Sequence, residues 1–339
     1  MIARRLALLT LLAASAALSL PGCDRKESGP GASPAPGAKK VYLIVKASES
    51  EFWQIVIEGA KQAARKLNVN LIAQAPVSEA DVSKQIAIME TAIAARPDAI
   101  ILAPTVADSL VPAAERAMAV GIPVIVIDSA ISTENITSYL ASDNVALGHL
   151  AADKMAEALQ AKAGKPEGEV ACVTFMSGVG SLEARKKGFT EQMAAKYPGI
   201  KVVAWQDAQG KQGTTLNIVQ NFLTAYPGLK GVFANNVNSG DETVRALDMK
   251  KRKDLAVVLV DSGPQEVWGI ENGYVDFLIV QKPWSMAQMS VEYALKAVAK
   301  EKLPKVVDTG IMAITPAMFK SGEADEFLKP VEFHKKKRD

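Results

Sequence analysis

The sequence predicts an α/β protein built as two doubly wound parallel-sheet lobes. Three observations point to it. Short β-branched apolar runs alternate with longer stretches of helical period. The alternation begins near residue 41 and restarts near residue 169. About 300 of the 339 residues take part, enough for two domains of ordinary size. Each run is four to eight residues long and apolar on both faces, as a strand must be when helices cover both sides of a parallel sheet.

In chain order, the opening "MIARRLALLTLLAASAALSLPGC" places Arg4 and Arg5 before an uncharged stretch of about 15 residues. That is the build of an export signal, and it falls short of the roughly 20 residues that span a bilayer. Its end, with Leu20 three before Cys23 and Gly22 beside it, resembles a bacterial lipobox. Residues 1–22 are therefore expected to be a lipoprotein signal peptide and Cys23 the site of lipidation, with membrane attachment through the lipid. Residues 24–40, rich in Gly, Pro, Ser and Ala, have the composition of a mobile tether. With Cys23 so used, only Cys172 remains, in the apolar run "EVACVTFM". It reads as a core thiol.

The first series consists of "VYLIVK" (41–46), "NLIAQAP" (70–76), "DAIILAP" (98–104) and "GIPVIVID" (121–128), separated by helical stretches. The first of these helices aligns Phe52, Val56, Ala60, Ala63 and Leu67 on one side. The second series is "EVACVTFM" (169–176), "IKVVAW" (200–205), "GVFANN" (231–236), "AVVLVD" (256–261) and "VDFLIVQ" (275–281). A last helix, from about Trp284 to Lys300, can return to the first lobe.

Open α/β sheets bind ligands beyond the carboxyl ends of their strands. Here those ends carry Lys46 to Trp53, Asp128 and Ser129, Ser177 to Arg185, Asn235 to Asn238, Asp261 and Gln281. The set is almost wholly hydrogen-bonding or aromatic, and suits a polyhydroxylated ligand. Two histidines, one in a predicted helix and one in the terminal "HKKKRD", cannot readily assemble a Ser/His/Asp triad or a histidine-rich metal site. No Walker A loop or G-x-S-x-G elbow is present. No catalytic residue, metal or cofactor is expected. A formal charge of +2 announces no nucleic-acid surface.

The segments "SEFWQIVIEGAKQAA", "GIPVIVIDS", "LASDN", "ARKKGF", "NIVQNFLTAYPGLKGVFANN", "VVLVDSGP" and "IVQKPWSMAQ", in this order and spacing, resemble the type I periplasmic substrate-binding proteins of sugar ABC importers. The likeness is to the ribose-binding-protein-like group and runs from about residue 40 to residue 320. The resemblance implies two lobes joined by a three-strand hinge and closing on a ligand. It places the crossings near Ser142–Asp143, Gln281–Lys282 and Gly310. The first lobe becomes 41–142 plus 282–310, and the second 143–281 plus 311–339.

The same resemblance implies the ligand contacts. Phe52 and Trp53 match an aromatic pair that packs on the C–H face of a sugar. Asp128 matches an acceptor for adjacent hydroxyls. Arg185, in an R-x-x-G-F arrangement, matches a donor fork, while Asn236, Asp261 and Gln281 match further polar contacts. Ser50 and Glu51 stand where the ribose pattern carries asparagine before the aromatic pair, Ser129 replaces an arginine, Val237 an aspartate, and "QGK" (209–211) an expected aromatic. These departures count against ribose itself. Lys46 resembles a lysine of the subgroup binding autoinducer-2 and similar furanosyl ligands. It can neutralise Asp128, donate to the ligand, or be a lip residue reaching solvent. The expected protein is a monomeric, lipid-anchored, extracytoplasmic receptor that delivers a sugar or polyol to ABC permease subunits. A receptor of the same fold feeding a sensory system is the alternative.

Overall fold

The computed structural model describes residues 36–336. The signal, Cys23 and most of the tether lie outside the described residues. From the start of the described chain the elements are β1 (Lys39–Ile44), α1 (Glu51–Leu67), β2 (Val69–Gln74), α2 (Val82–Ala94), β3 (Ala99–Leu102), α3 (Val111–Ala119), β4 (Val124–Ile127) and β5 (Ser138–Ala141). There follow α4 (Asn144–Ala163), β6 (Gly168–Thr174), α5 (Gly180–Lys196), β7 (Ile200–Asp207), α6 (Thr214–Ala225), β8 (Leu229–Ala234), α7 (Val237–Met249), β9 (Ala256–Val260), α8 (Pro264–Glu271) and β10 (Phe277–Val280). The chain ends with α9 (Pro283–Val298), β11 (Val306–Asp308), β12 (Met312–Ile314), α10 (Pro316–Ser321), α11 (Asp325–Leu328) and α12 (Pro330–Lys336).

The strands form two six-stranded sheets, ordered β11-β5-β4-β3-β1-β2 and β12-β10-β9-β8-β6-β7. Position by position the two orders correspond, β4 with β9 and β5 with β10. Alternate residues of a strand feed opposite helical layers. In β1, Val41 and Leu43 pack with α1 and α9, whereas Tyr42 and Ile44 pack with α2 and α3. In β9, Val257 and Leu259 face one layer, and Val258 and Val260 the other. Cys172 is fully buried in that second layer, and burial raises its thiol pKa.

Three short strands escape the sequence pattern. β5, β11 and β12 have only three or four residues, and β11 is exposed at alternate positions on a sheet edge, so none leaves an apolar run as long as those of the central strands. β12 is also the one antiparallel member of its sheet. It leaves the other lobe and runs away from it, beside β10, which runs toward it.

The chain passes between sheets three times: after β5, after β10, and between β11 and β12. The first and third passages are laced together. Ser142 Oγ donates to the Gly310 carbonyl at 3.0 Å, Thr309 N to Ala141 O at 3.0 Å, and Asp143 N to Asp308 Oδ1 at 3.2 Å. Gly310 sits at φ +81°, and a Cβ there would meet Lys282 Nζ of the second passage at 3.4 Å. Between β10 and β11 the helix α9 packs on α1 in the first lobe, with Met286, Ala287, Val291 and Ala294 in its core.

The resemblance assigns all of 311–339 to the second lobe, and the structure divides the described part. β12 pairs with β10 and α10 packs on α8, but α12 lies against α1. The cause is aromatic: the His334 ring stacks on Trp284, at the start of α9, with centroids 4.7 Å apart.

Candidate functional site

Lys46, Ser50, Phe52, Trp53, Asp128, Arg185, Asn236, Asp261 and Gln281 all line one hollow between the lobes. A neighbouring hollow shares Phe52, Val237, Asp261 and Gln281 with it.

The two aspartates occupy equivalent places. Asp128 follows β4 and Asp261 follows β9, each donating its N–H back to the next strand, at Leu140 O and Ile279 O. Each is in a left-handed conformation, φ +64° and +89°, which costs a non-glycine residue of order 1–3 kcal/mol. The turn swings each carboxylate from the strand end into the space between the lobes. Such strain persists where the surrounding structure requires it.

Lys46 is buried, and its Nζ donates to Asp128 Oδ2 and Ser129 Oγ, both at 2.6 Å. Of the three roles open to it, the solvent-facing lip is excluded. Ser129, standing where the ribose pattern has arginine, reaches across to the other lobe: its hydroxyl lies 2.8 Å from Ser181 Oγ as donor and accepts from Ser181 N at 3.3 Å. The lobes are therefore closed on the cavity.

Arg185 is 2% exposed. Its Nε donates to Asn144 Oδ1 at 2.9 Å and its Nη1 to the Asn235 carbonyl at 2.8 Å, with Asp261 Oδ2 at 3.9 Å. Neither bond uses Nη2, so one arm of the fork remains for a ligand. Asp261 accepts from Gln281 Nε2 at 2.8 Å and from Val237 N at 3.2 Å. Burial still raises its pKa, against the lowering influence of Arg185. Asn236 caps α7 through Oδ1, which accepts from Ser239 N at 3.1 Å, leaving its amide NH2 as a donor.

Phe52 and Trp53 meet edge to face, centroids 4.9 Å apart and planes at 80°. Two rings so inclined cannot both lie flat on one face of a ligand, so one offers its face and the other its edge. Trp53 Nε1 donates to Glu79 Oε1 at 2.9 Å. Two polar atoms on the cavity wall, Ser50 Oγ and Gln281 Oε1, are buried without a hydrogen-bond partner. Buried polar groups are normally satisfied, so both atoms are placed to bond to a ligand in the cavity.

Sequence reasoning missed Glu79 and Asn144, and reached Ser181 only as part of the strand-end stretch Ser177 to Arg185. Glu79 lies in the loop after β2, where the strand-end rule applies as it does elsewhere. Ser181 and Asn144 act through contacts across the site that no spacing along the chain discloses. Among the described residues, no group of three or more His, Cys, Asp or Glu could hold a metal ion.

Two closed lobes around a small polar and aromatic cavity define a ligand-capturing protein. Residues 41–302 match the family model described as a periplasmic binding protein domain, and the chain belongs to that family. It is 30% identical over 264 residues to the ribose import binding protein of Salmonella typhimurium, covering 78% of this chain and 86% of the relative. A carbohydrate transporter solute-binding protein from Agrobacterium radiobacter, solved in complex with D-arabinose, is 35% identical with a TM-score of 0.84, covering 87% of this chain and 100% of that one. An ABC transporter solute-binding protein from Agrobacterium vitis with bound D-fucose is 32% identical with a TM-score of 0.80, over 85% and 99%. The protein thus has the two-lobed type I fold and is a binding protein, not an enzyme.

Proposed function

We propose that the protein captures a monosaccharide or closely related polyol outside the cytoplasm and presents it to an ABC permease. The observation that carries this is the cavity itself. Acceptors on Asp128, Asp261 and Gln281, donors on Arg185 and Asn236, and the rings of Phe52 and Trp53 converge on one hollow between the lobes. Relatives named for ribose import, and solved with D-arabinose or D-fucose, support the ligand class. The serine at 129 in place of the ribose-type arginine argues for a sugar other than ribose. A calorimetric screen of pentoses, hexoses and polyols against the purified protein tests the reading. The sugar that binds should lose at least about tenfold in affinity to Arg185→Lys, because a charge-assisted hydrogen bond from a planar fork is worth about 1.5–3 kcal/mol. Binding of no sugar, or full affinity in Arg185→Lys, would refute it.

Attachment by lipid is part of the same proposal. It rests on the basic start, the apolar run and Cys23. No helix among the described residues is long and apolar enough to cross a membrane. Cys23→Ser should move the protein from the detergent phase to the aqueous phase on partitioning, with its melting temperature unchanged. If the variant partitions like the wild type, the anchor is not at Cys23.

A further inference from the structure

Resting on the reading of the cavity as a sugar site, we infer that Glu79 is a further ligand contact, a specificity-determining carboxylate that accepts a hydrogen bond from a ligand hydroxyl beside the Trp53 indole. Three observations carry the inference. Glu79 lines the same cavity as the other contacts and is 7% exposed. Its Oε1 is taken by Trp53 Nε1, and among the described residues no side-chain or backbone donor reaches Oε2. The cavity wall holds three carboxylates, Glu79, Asp128 and Asp261, against two cations, Lys46 and Arg185. Lys46 bonds to Asp128, and Arg185 stands beside Asp261. Glu79 is the carboxylate of the three with no ion-pair partner of its own, which leaves Oε2 as an acceptor on this wall that a ligand hydroxyl can serve.

The groups facing it act in both directions. Burial raises its pKa most. Lys46, from the loop after β1, and the Trp53 indole on α1 lower it, while Asp128 beyond β4 and Asp261 beyond β9 raise it. A donor from the ligand stabilises the ionised form, so capture is linked to loss of the Glu79 proton. The sign follows: with the lobes closed and no ligand, the raised pKa makes Glu79 take up its proton at a higher pH than an ordinary glutamate. Binding must then expel the proton, so affinity falls as pH falls through that pKa.

The test uses calorimetry with D-ribose, D-arabinose and D-fucose between about pH 8 and pH 5, on the wild type and Glu79→Gln. Glutamine keeps an oxygen for the indole but replaces Oε2 with a donor. The wild type should bind at least one of the three sugars more weakly as pH falls. Glu79→Gln should bind that sugar about tenfold more weakly at pH 8, with the gap narrowing as pH falls and the unliganded melting temperature unchanged. Binding in the wild type with equal affinity and an equal pH slope in Glu79→Gln would overturn the inference and leave the sugar site standing. Affinity that rises with acid in the wild type but not in the variant would make Glu79 a donor and overturn it too. Failure of these three and of every other pentose, hexose and polyol of the screen to bind the wild type at any pH would remove the sugar site and the inference together.

Discussion

Asp128→Ala should lower the stability of the unliganded protein by about 3 kcal/mol and abolish measurable capture. Asp128 and Lys46 are both about 97% buried and 2.6 Å apart, and both belong to the first lobe. Removing one member of a buried ion pair leaves the other charge uncompensated, which typically costs 3–5 kcal/mol. Alanine at φ +64° adds strain that aspartate tolerates better. Asp128→Asn should be milder, since asparagine suits that conformation and still accepts from Lys46. The double variant Asp128→Ala/Lys46→Met should regain part of the loss, because it removes both charges. Denaturant midpoints of the four proteins measure this. An unchanged midpoint in Asp128→Ala would show that Lys46 finds solvent or another partner.

Gly188→Ala should be comparably severe, although Gly188 touches no ligand. Helices α4 and α5 cross backbone to backbone through Gly148 and Gly188. A Cβ on Gly188 would stand 2.1 Å from Val145 O, and one on Gly148 would stand 2.3 Å from Arg185 O. Neither obstacle is a side chain that can swing aside, so the helices must part, at a cost of about 3 kcal/mol or more. Arg185 lies one turn earlier on the same helix, and its bond to Asn144 bridges this crossing. Affinity should therefore fall with stability. Wild-type values of both in Gly188→Ala would mean the helices can separate freely. The glycine of the R-x-x-G-F arrangement thus has a packing reason independent of the ligand.

Much of this architecture is legible in the sequence because parallel strands covered on both faces leave an unmistakable apolar imprint. The strands ending at Asp128, Asn236, Asp261 and Gln281 are of this kind, and the polar residue terminating each run falls in the cavity. Lys46 is different. Its position at a strand end is legible, but its partner lies 82 residues away across the sheet, so its charge state and direction depend on a neighbour that the local sequence does not specify. Ser129 looks like a loss when set beside the ribose pattern. In the fold it joins Lys46 to Ser181 of the other lobe. Asn144 follows from geometry alone, being brought in by the first turn of α4, whereas Glu79 stands in the loop after β2, within reach of the strand-end rule. β5, β11 and β12 are too short to leave a periodicity, and α12 is placed by a ring stacking on Trp284 rather than by any amphipathic repeat.

The lacing of Ser142, Asp143, Asp308, Thr309 and Gly310 bears on how the protein can move. Three independent linkers would let the lobes slide, twist and bend, and every ligand would have to freeze all of those freedoms. Strands bonded side by side at Ala141–Thr309 and Ser142–Gly310, with Lys282 abutting them, behave as one strap. Such a strap flexes across its width and resists shear. Opening and closing then reduce to a single angular coordinate with two ends. To shift such a pair of states from 1:99 to 99:1, a ligand needs about 10⁴-fold preference for the closed one, roughly 5.5 kcal/mol. A few charge-assisted hydrogen bonds spanning the cavity are enough to supply that difference.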